Sequence, residues 1–220
     1  MTVTGFSPLF PNAHCTSDHD ICQLTTGEAE INAASTITAL YLSPLFQLSK
    51  TYFLIAGIAG VNPHQGTTGT VAAFARFAIQ AALEYELDSR EIPANWTSGY
   101  WPQGTGGPNN YPLSIYGTEA FELNIALRDK AIALATNVTL NDSASAASYR
   151  AMYGYAPATE APKVIAGDSV CADVYYSGAH ICEYFGNYTQ LITNGSGVYA
   201  MAAQVDSRDL TGMRANEVGG

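Results

Sequence analysis

Positive charge is what this sequence has least of: 9 Lys and Arg stand against 19 Asp and Glu in 220 residues, a formal charge of −10. Such a chain has few groups with which to displace the counterions of a phosphate backbone, which argues against nucleic acid as a partner. Charged residues of both signs make up only 13%, about half the share of an average soluble domain. Long apolar runs are missing too. The longest uncharged one, Tyr52–Val61, falls short of the ~20 residues a membrane helix needs, so no membrane span is expected. The sequence contains no GxSxG elbow, P-loop or GxGxxG turn. Cysteine and histidine occur without the CxxC or HxxxH spacing of a zinc site. No metal and no cofactor is expected. What is present is a 47% hydrophobic share, too high for a disordered polyanion. The length fits one domain with a real core.

Two features bear on the compartment. Sequons at Asn95, Asn137, Asn141, Asn187 and Asn194 exceed the roughly two that chance gives in this composition. The excess points to glycosylation and a secreted or cell-wall location. The N-terminus itself carries no basic region followed by an apolar one, so no signal peptide is read there. Four cysteines allow three pairings, and the sequence does not choose among them. Cys15–Cys22, closing a short loop, is the pair expected in an oxidising compartment, with Cys171 and Cys182 as buried thiols.

Along the chain, apolar positions 31, 34, 37, 40 and 41 predict a helix over 28–42, stopped by Pro44. Tyr52–Ile58 reads as a buried central strand. Apolar odd positions from Val71 to Leu87 predict a long strand or bent hairpin. Residues 92–116, with Trp96, Tyr100, Trp101, Tyr111 and Tyr116, read as an aromatic loop of lid or rim type. Thr118 is the expected cap of a helix reaching Thr136, with Glu119 and Glu122 in its first turn. Short strands are expected at 163–167 and 190–193. A helix capped by Asp173 and closed at Gly186-Asn187 lies between them, and a last helix is expected from Gly197 to Gln204. Strands alternating with helices predict an α/β fold with a mixed, mostly parallel central sheet flanked by helices. Ligands then bind beyond the carboxyl ends of the strands, where this reading puts Gly57–Asn62, Gly167–Asp173 and Asn194–Tyr199.

These ends nominate the site residues. Gly27 and Glu28 form a turn entering a helix, suited to an anion or a ribose oxygen. Ala59, Gly60 and Asn62 end an apolar segment with small side chains that admit a flat ligand. Gly167 and Asp168 place a carboxylate after a strand. Asn194 and Ser196 offer donors and acceptors to sugar hydroxyls.

In this order the segments resemble a known family. Phe6-Ser-Pro-Leu-Phe, Cys15 and Cys22, Thr26-Gly-Glu, Asn32-Ala-Ala, the stretch Tyr52 to Pro63, Arg90-Glu-Ile-Pro, Tyr116-Gly-Thr-Glu, Gly167-Asp-Ser, Asp173-Val-Tyr-Tyr-Ser-Gly and Thr193-Asn-Gly-Ser-Gly-Val-Tyr are similar to the fungal purine nucleoside permeases. The resemblance covers roughly residues 6–204. It implies the three-layer α/β/α fold of nucleoside phosphorylases and nucleosidases. It places Ala59-Gly60 on their base- and sugar-contacting turn and Gly167-Asp168 on their Ser-Gly-Asp. Asn194-Gly195-Ser196 falls where those enzymes carry Glu-Met-Glu, so Ser196 replaces the Glu that holds the ribose. Their Asp that protonates the purine lies on a strand beyond the end of this chain. The family also has a secretion signal and a first strand ahead of the segment that begins here. The expectation is one incomplete domain, truncated at both ends, with a divergent tail over 205–220.

The resemblance implies a purine nucleoside as ligand and a role in nucleoside transport. Cleavage of the N-glycosidic bond, by water or with phosphate as co-substrate, is the alternative, and a non-catalytic storage role is the third. No catalytic residue is assigned; Asp168 and Glu28 are the carboxylates nearest the expected pocket. A homo-oligomer is compatible with all three.

Overall fold

The computed structural model describes residues 1–27, 30–57, 59–70, 75–81, 83–87, 90–172 and 178–202. They fall into two compact units, one within Met1–Ala56 and one within Gly57–Ala203.

In the first unit, β1 (His14–Cys15) and β2 (Cys22–Gln23) pair antiparallel, and Cys15 and Cys22, opposite each other, are joined by a disulfide. Helix α1 (Glu30–Leu42) buries Ala33, Thr36, Ile37 and Leu40, the i, i+3, i+4, i+7 stripe of an amphipathic helix. The expected stripe is rotated: Ile31 is exposed, and Thr36 goes inside because its Oγ1 accepts from the Ser7 N–H at 3.1 Å. Val3, Phe6, Ala13, Ile37 and Leu40 form the core here. The predicted central strand at 52–58 is not formed. Residues 51–57 have no regular structure, and Tyr52 and Leu54 are 79% and 80% exposed; Ile58 lies outside the described residues. An apolar run becomes a central strand only where two neighbours take up its backbone groups, and among the described residues no strand pairs with this run.

The second unit is built on β3 (Gly60–Val61), β4 (Phe77–Gln80), β5 (Leu83–Glu86), β6 (Tyr100–Pro102), β7 (Ala120–Glu122), α2 (Ile125–Ala135), α3 (Ala144–Arg150) with a 3₁₀ turn at Ala151–Tyr153, β8 (Asp168–Cys171), α4 (Ala179–Ile192) and β9 (Tyr199–Ala202). Five strands form one mixed sheet in the order β3-β9-β8-β4-β7. β4–β8 and β8–β9 are parallel, while the two edge strands run antiparallel. The class is therefore α/β with a mixed sheet, parallel only at its centre. Helix α4 lays Ile181, Tyr184, Phe185 and Tyr188 against Phe77, Ile79, Val170 and Tyr199 to form the main core. β5 and β6 pair apart, as a two-stranded ribbon.

Several element expectations are corrected. The alternation over 71–87 is split between the sheet and the ribbon, with 71–74 outside the described residues. The helix expected from Thr118 begins at Ile125, where Asn124 Oδ1 accepts from the Leu127 N–H at 3.0 Å. Glu119 and Glu122 serve strand β7 instead: Glu122 pairs with Arg76 of the neighbouring β4 edge at 3.0 Å, and Glu119 is buried. Residues 163–167 lead into β8, which starts at Asp168. Gly186 and Asn187 lie inside α4, which runs to Ile192 and stops where Asn194 and Gly195 take positive φ, the left-handed geometry that ends helices. The expected strand at 190–193 is that last turn, and the expected helix from Gly197 is strand β9. The Asp173 cap lies outside the described residues.

Candidate functional site

The parallel strands give the sheet two chemically different ends. At the carboxyl end lie Gln80-Ala81, Cys171-Ala172 and Ala202. Gly60 belongs there too, because it pairs with Ala202. At the amino end lie Arg76-Phe77, Gly167-Asp168 and Val198-Tyr199. Strands of four residues separate these ends by about 10 Å.

Most of the nominated residues gather at the amino end. Asp168 is 3% exposed. Its Oδ1 accepts from the backbone N–H of Arg76 at 3.1 Å and of Phe77 at 2.7 Å, and its Oδ2 accepts from Val198 N–H at 2.6 Å. One carboxylate thereby fastens the start of β4 and the approach to β9 onto β8. Asn62 Nδ2 donates to Tyr199 O at 3.0 Å, while its Oδ1 accepts from His64 N–H at 3.0 Å and from Cys182 Sγ at 3.4 Å. Burial and the neighbouring Glu183 push the Cys182 thiol above its ordinary range, so it remains a protonated donor. Ser196 Oγ donates to Thr193 O at 2.7 Å; Asn194 is exposed in the turn that ends α4. Gly167 approaches β9 so closely that a Cβ there would meet Ala200 Cβ at 2.2 Å.

Ala59 and Gly60 stand at the opposite end. A ligand the size of one ring does not bridge the two groups. Gly27 belongs to the first unit, where its positive φ turns the chain into α1 against Ser7 and Asn32; Glu28 lies outside the described residues. Among the described residues, no group of three His, Cys, Asp or Glu is placed to hold a metal ion.

The carboxyl end is the one where α/β sheets place ligands. Here Gly60 is partly exposed, while Ala81, Ala172 and Ala202 are themselves buried in the core against α4. The aromatic loop rises from this end, because β6 pairs with β5 three residues after β4 finishes. Trp96 and Trp101 pack edge to face at 5.2 Å, and Tyr100 leans on Tyr184 at 5.8 Å. Those three rings are used for packing, and Tyr111 and Tyr116 remain exposed. Gln103 ties the loop across: its carbonyl accepts from Leu113 N–H at 3.0 Å, and its Nε2 donates to Tyr116 OH at 2.9 Å.

Glu119 was missed as a functional candidate from sequence. It is 5% exposed, and both its carboxylate oxygens accept backbone N–H groups, from Tyr116 and from Gly117. Its carbonyl accepts from Gln80 N–H, the last residue of β4, at 2.8 Å. The one signal available was a carboxylate two residues after a glycine in Tyr116-Gly117-Thr118-Glu119, a spacing that also fits a helix start.

Over residues 1–218 the chain matches the family described as purine nucleoside permease. It is 48% identical over 214 residues to a "Purine nucleoside permease" of Candida albicans, covering 96% of this chain and 52% of that protein. To a Schizosaccharomyces pombe protein named "Probable purine nucleoside permease C285.05" it is 39% identical over 221 residues, covering 97% of this chain and 63% of that protein. The chain thus spans between half and two thirds of these relatives' length. No solved structure matches it. Identity of this order runs through both units and is not confined to one motif: the chain belongs to the purine nucleoside permease family.

Proposed function

We propose that the protein binds purine nucleosides and takes part in their uptake. Membership of the purine nucleoside permease family over 1–218 carries this reading. The geometry supports a location for the ligand: the carboxyl end of the parallel strands, with Ala59 and Gly60 against the base or sugar and the 103–117 loop as rim. Polar recognition comes from backbone groups and the rim amides and phenols, in keeping with a neutral ligand. Among the described residues no helix is long and apolar enough to cross a membrane. The proposed role is nucleoside capture, within the phosphorylase-like fold that the sequence resembles.

Calorimetric titration with adenosine, guanosine and uridine tests the reading, with free base followed by chromatography in the presence and absence of phosphate. Saturable binding of the purine nucleosides, tighter than uridine and without base release, is expected. Absence of saturation at millimolar ligand would overturn the assignment. Base release would replace capture by cleavage, phosphorolytic if phosphate is required and hydrolytic if it is not.

The proposed location is the secretory route and cell surface. Asn95, Asn137, Asn141 and Asn194 are exposed. Asn187 sits inside α4, with its Nδ2 donating to Thr97 Oγ1 at 2.9 Å. Glycopeptide mass spectrometry after expression through a eukaryotic secretory pathway should find glycans on the four exposed sites and none on Asn187. An occupied Asn187, or four bare sites, would contradict this.

A further inference from the structure

Glu119 is a buried carboxylate with no cation in the contacts described above and no catalytic partner. All of its hydrogen bonds hold backbone: Tyr116 and Gly117 N–H on its side chain, Gln80 N–H on its carbonyl. Gly117 has φ 83° and open space where a Cβ would stand, so packing does not hold this turn. The carboxylate does. Its two oxygens fix the descending limb of the rim to the end of β4, while Gln103 fixes the ascending limb to Leu113 and Tyr116.

We propose that Glu119 is a positioning residue that sets base selectivity: it holds the 103–117 rim, with exposed Tyr116, at the carboxyl end of the sheet so that the rim discriminates purine from pyrimidine nucleosides. This rests on the nucleoside-binding reading above. Glutamine in its place keeps the shape but turns one acceptor into a donor facing a backbone N–H, which loses that bond and leaves the other. The rim then detaches on one side.

The test compares wild type, Glu119→Gln and Glu122→Gln; Glu122 lies on the same strand but is paired with Arg76 on the exposed side. Two quantities are read: the ratio of uridine to adenosine dissociation constants, and the rate of chymotryptic cleavage at Leu113 and Tyr116 under native conditions. A variant that is merely less folded loses the same fraction of sites for both ligands, so its ratio does not move. Glu119→Gln is expected to lower the ratio at least fivefold and to speed rim cleavage about tenfold, with Glu122→Gln like wild type. An unchanged ratio with unchanged cleavage overturns the proposal, and so does faster cleavage with an unchanged ratio. Should wild type bind neither nucleoside, the binding reading fails and selectivity with it, while the cleavage rates still show whether Glu119 holds the rim. If Glu119→Gln does not fold, Gln103→Ala removes the side-chain bond to Tyr116 OH, while the carbonyl's bond to Leu113 stays, and touches no buried charge. A lowered ratio in that variant supports the rim's role, and an unchanged one overturns it.

Discussion

Asp168→Ala is expected to unfold the second unit. The substitution leaves the N–H groups of Arg76, Phe77 and Val198 without the carboxylate that accepts all three. These are charge-assisted bonds in a site 3% exposed. Each buried donor left unsatisfied costs about 1–3 kcal/mol, so the total is on the order of 5 kcal/mol, comparable with the whole stability of a small domain. Asp168→Asn is the informative variant. Its amide oxygen can still serve Arg76 and Phe77, but its NH₂ then faces the Val198 N–H, donor against donor, at a loss of about 2 kcal/mol. Urea denaturation should rank wild type above Asp168→Asn above Asp168→Ala. A ligand-contacting aspartate behaves otherwise: Asp168→Asn would keep wild-type stability and lose nucleoside affinity, and that result would remove Asp168 from the frame and return it to the site.

This behaviour explains why the polar site was only partly legible in the sequence. A carboxylate beside a strand looks the same whether it faces a ligand or three backbone amides. The partners that decide it are 91 and 92 residues away in β4 and 30 away at β9. Glu119 was hidden for the opposite reason. Acidic residues at 119 and 122 match the first turn of a helix, and only the pairing of β7 with β4 shows that the first precedes a strand and the second ends it. Local signals fared better. Pro44 after the periodic stretch placed the end of α1, and the eight-residue span of Cys15 to Cys22 suited a loop closed by its own disulfide. The error at 52–58 was one of burial. Apolar composition says that a segment can be covered, and whether a neighbour covers it is decided elsewhere in the chain. The same holds for β9, whose Gly-rich approach resembles a helix start until β8 supplies a parallel edge.

Gly167→Ala should be nearly as damaging as Asp168→Ala, for a reason that involves no polar group. The register between β8 and β9 shifts after Asp168, which faces Tyr199 while Ser169 faces Met201. Ala200 is the extra residue of that bulge and is pressed toward the chain ahead of β8. A methyl group on residue 167 would lie 2.2 Å from Ala200 Cβ, and no rotamer relieves a contact between two Cβ atoms. The strands must part where Asp168 bonds Val198, at a cost of about 3 kcal/mol or more, at the upper end for overpacking. The remaining neighbours, Val198 O at 3.4 Å and Ala200 Cα at 3.5 Å, are tolerable contacts. Removing the opposing methyl should therefore rescue the fold. Ala200→Gly alone is expected to cost about 1 kcal/mol through backbone entropy. The double variant Gly167→Ala/Ala200→Gly should be more stable than Gly167→Ala by about 2 kcal/mol. A double-mutant cycle in urea measures the coupling. Additive losses would show that the bulge does not press Ala200 onto Gly167, and that the glycine answers to some other demand of the approach to β8.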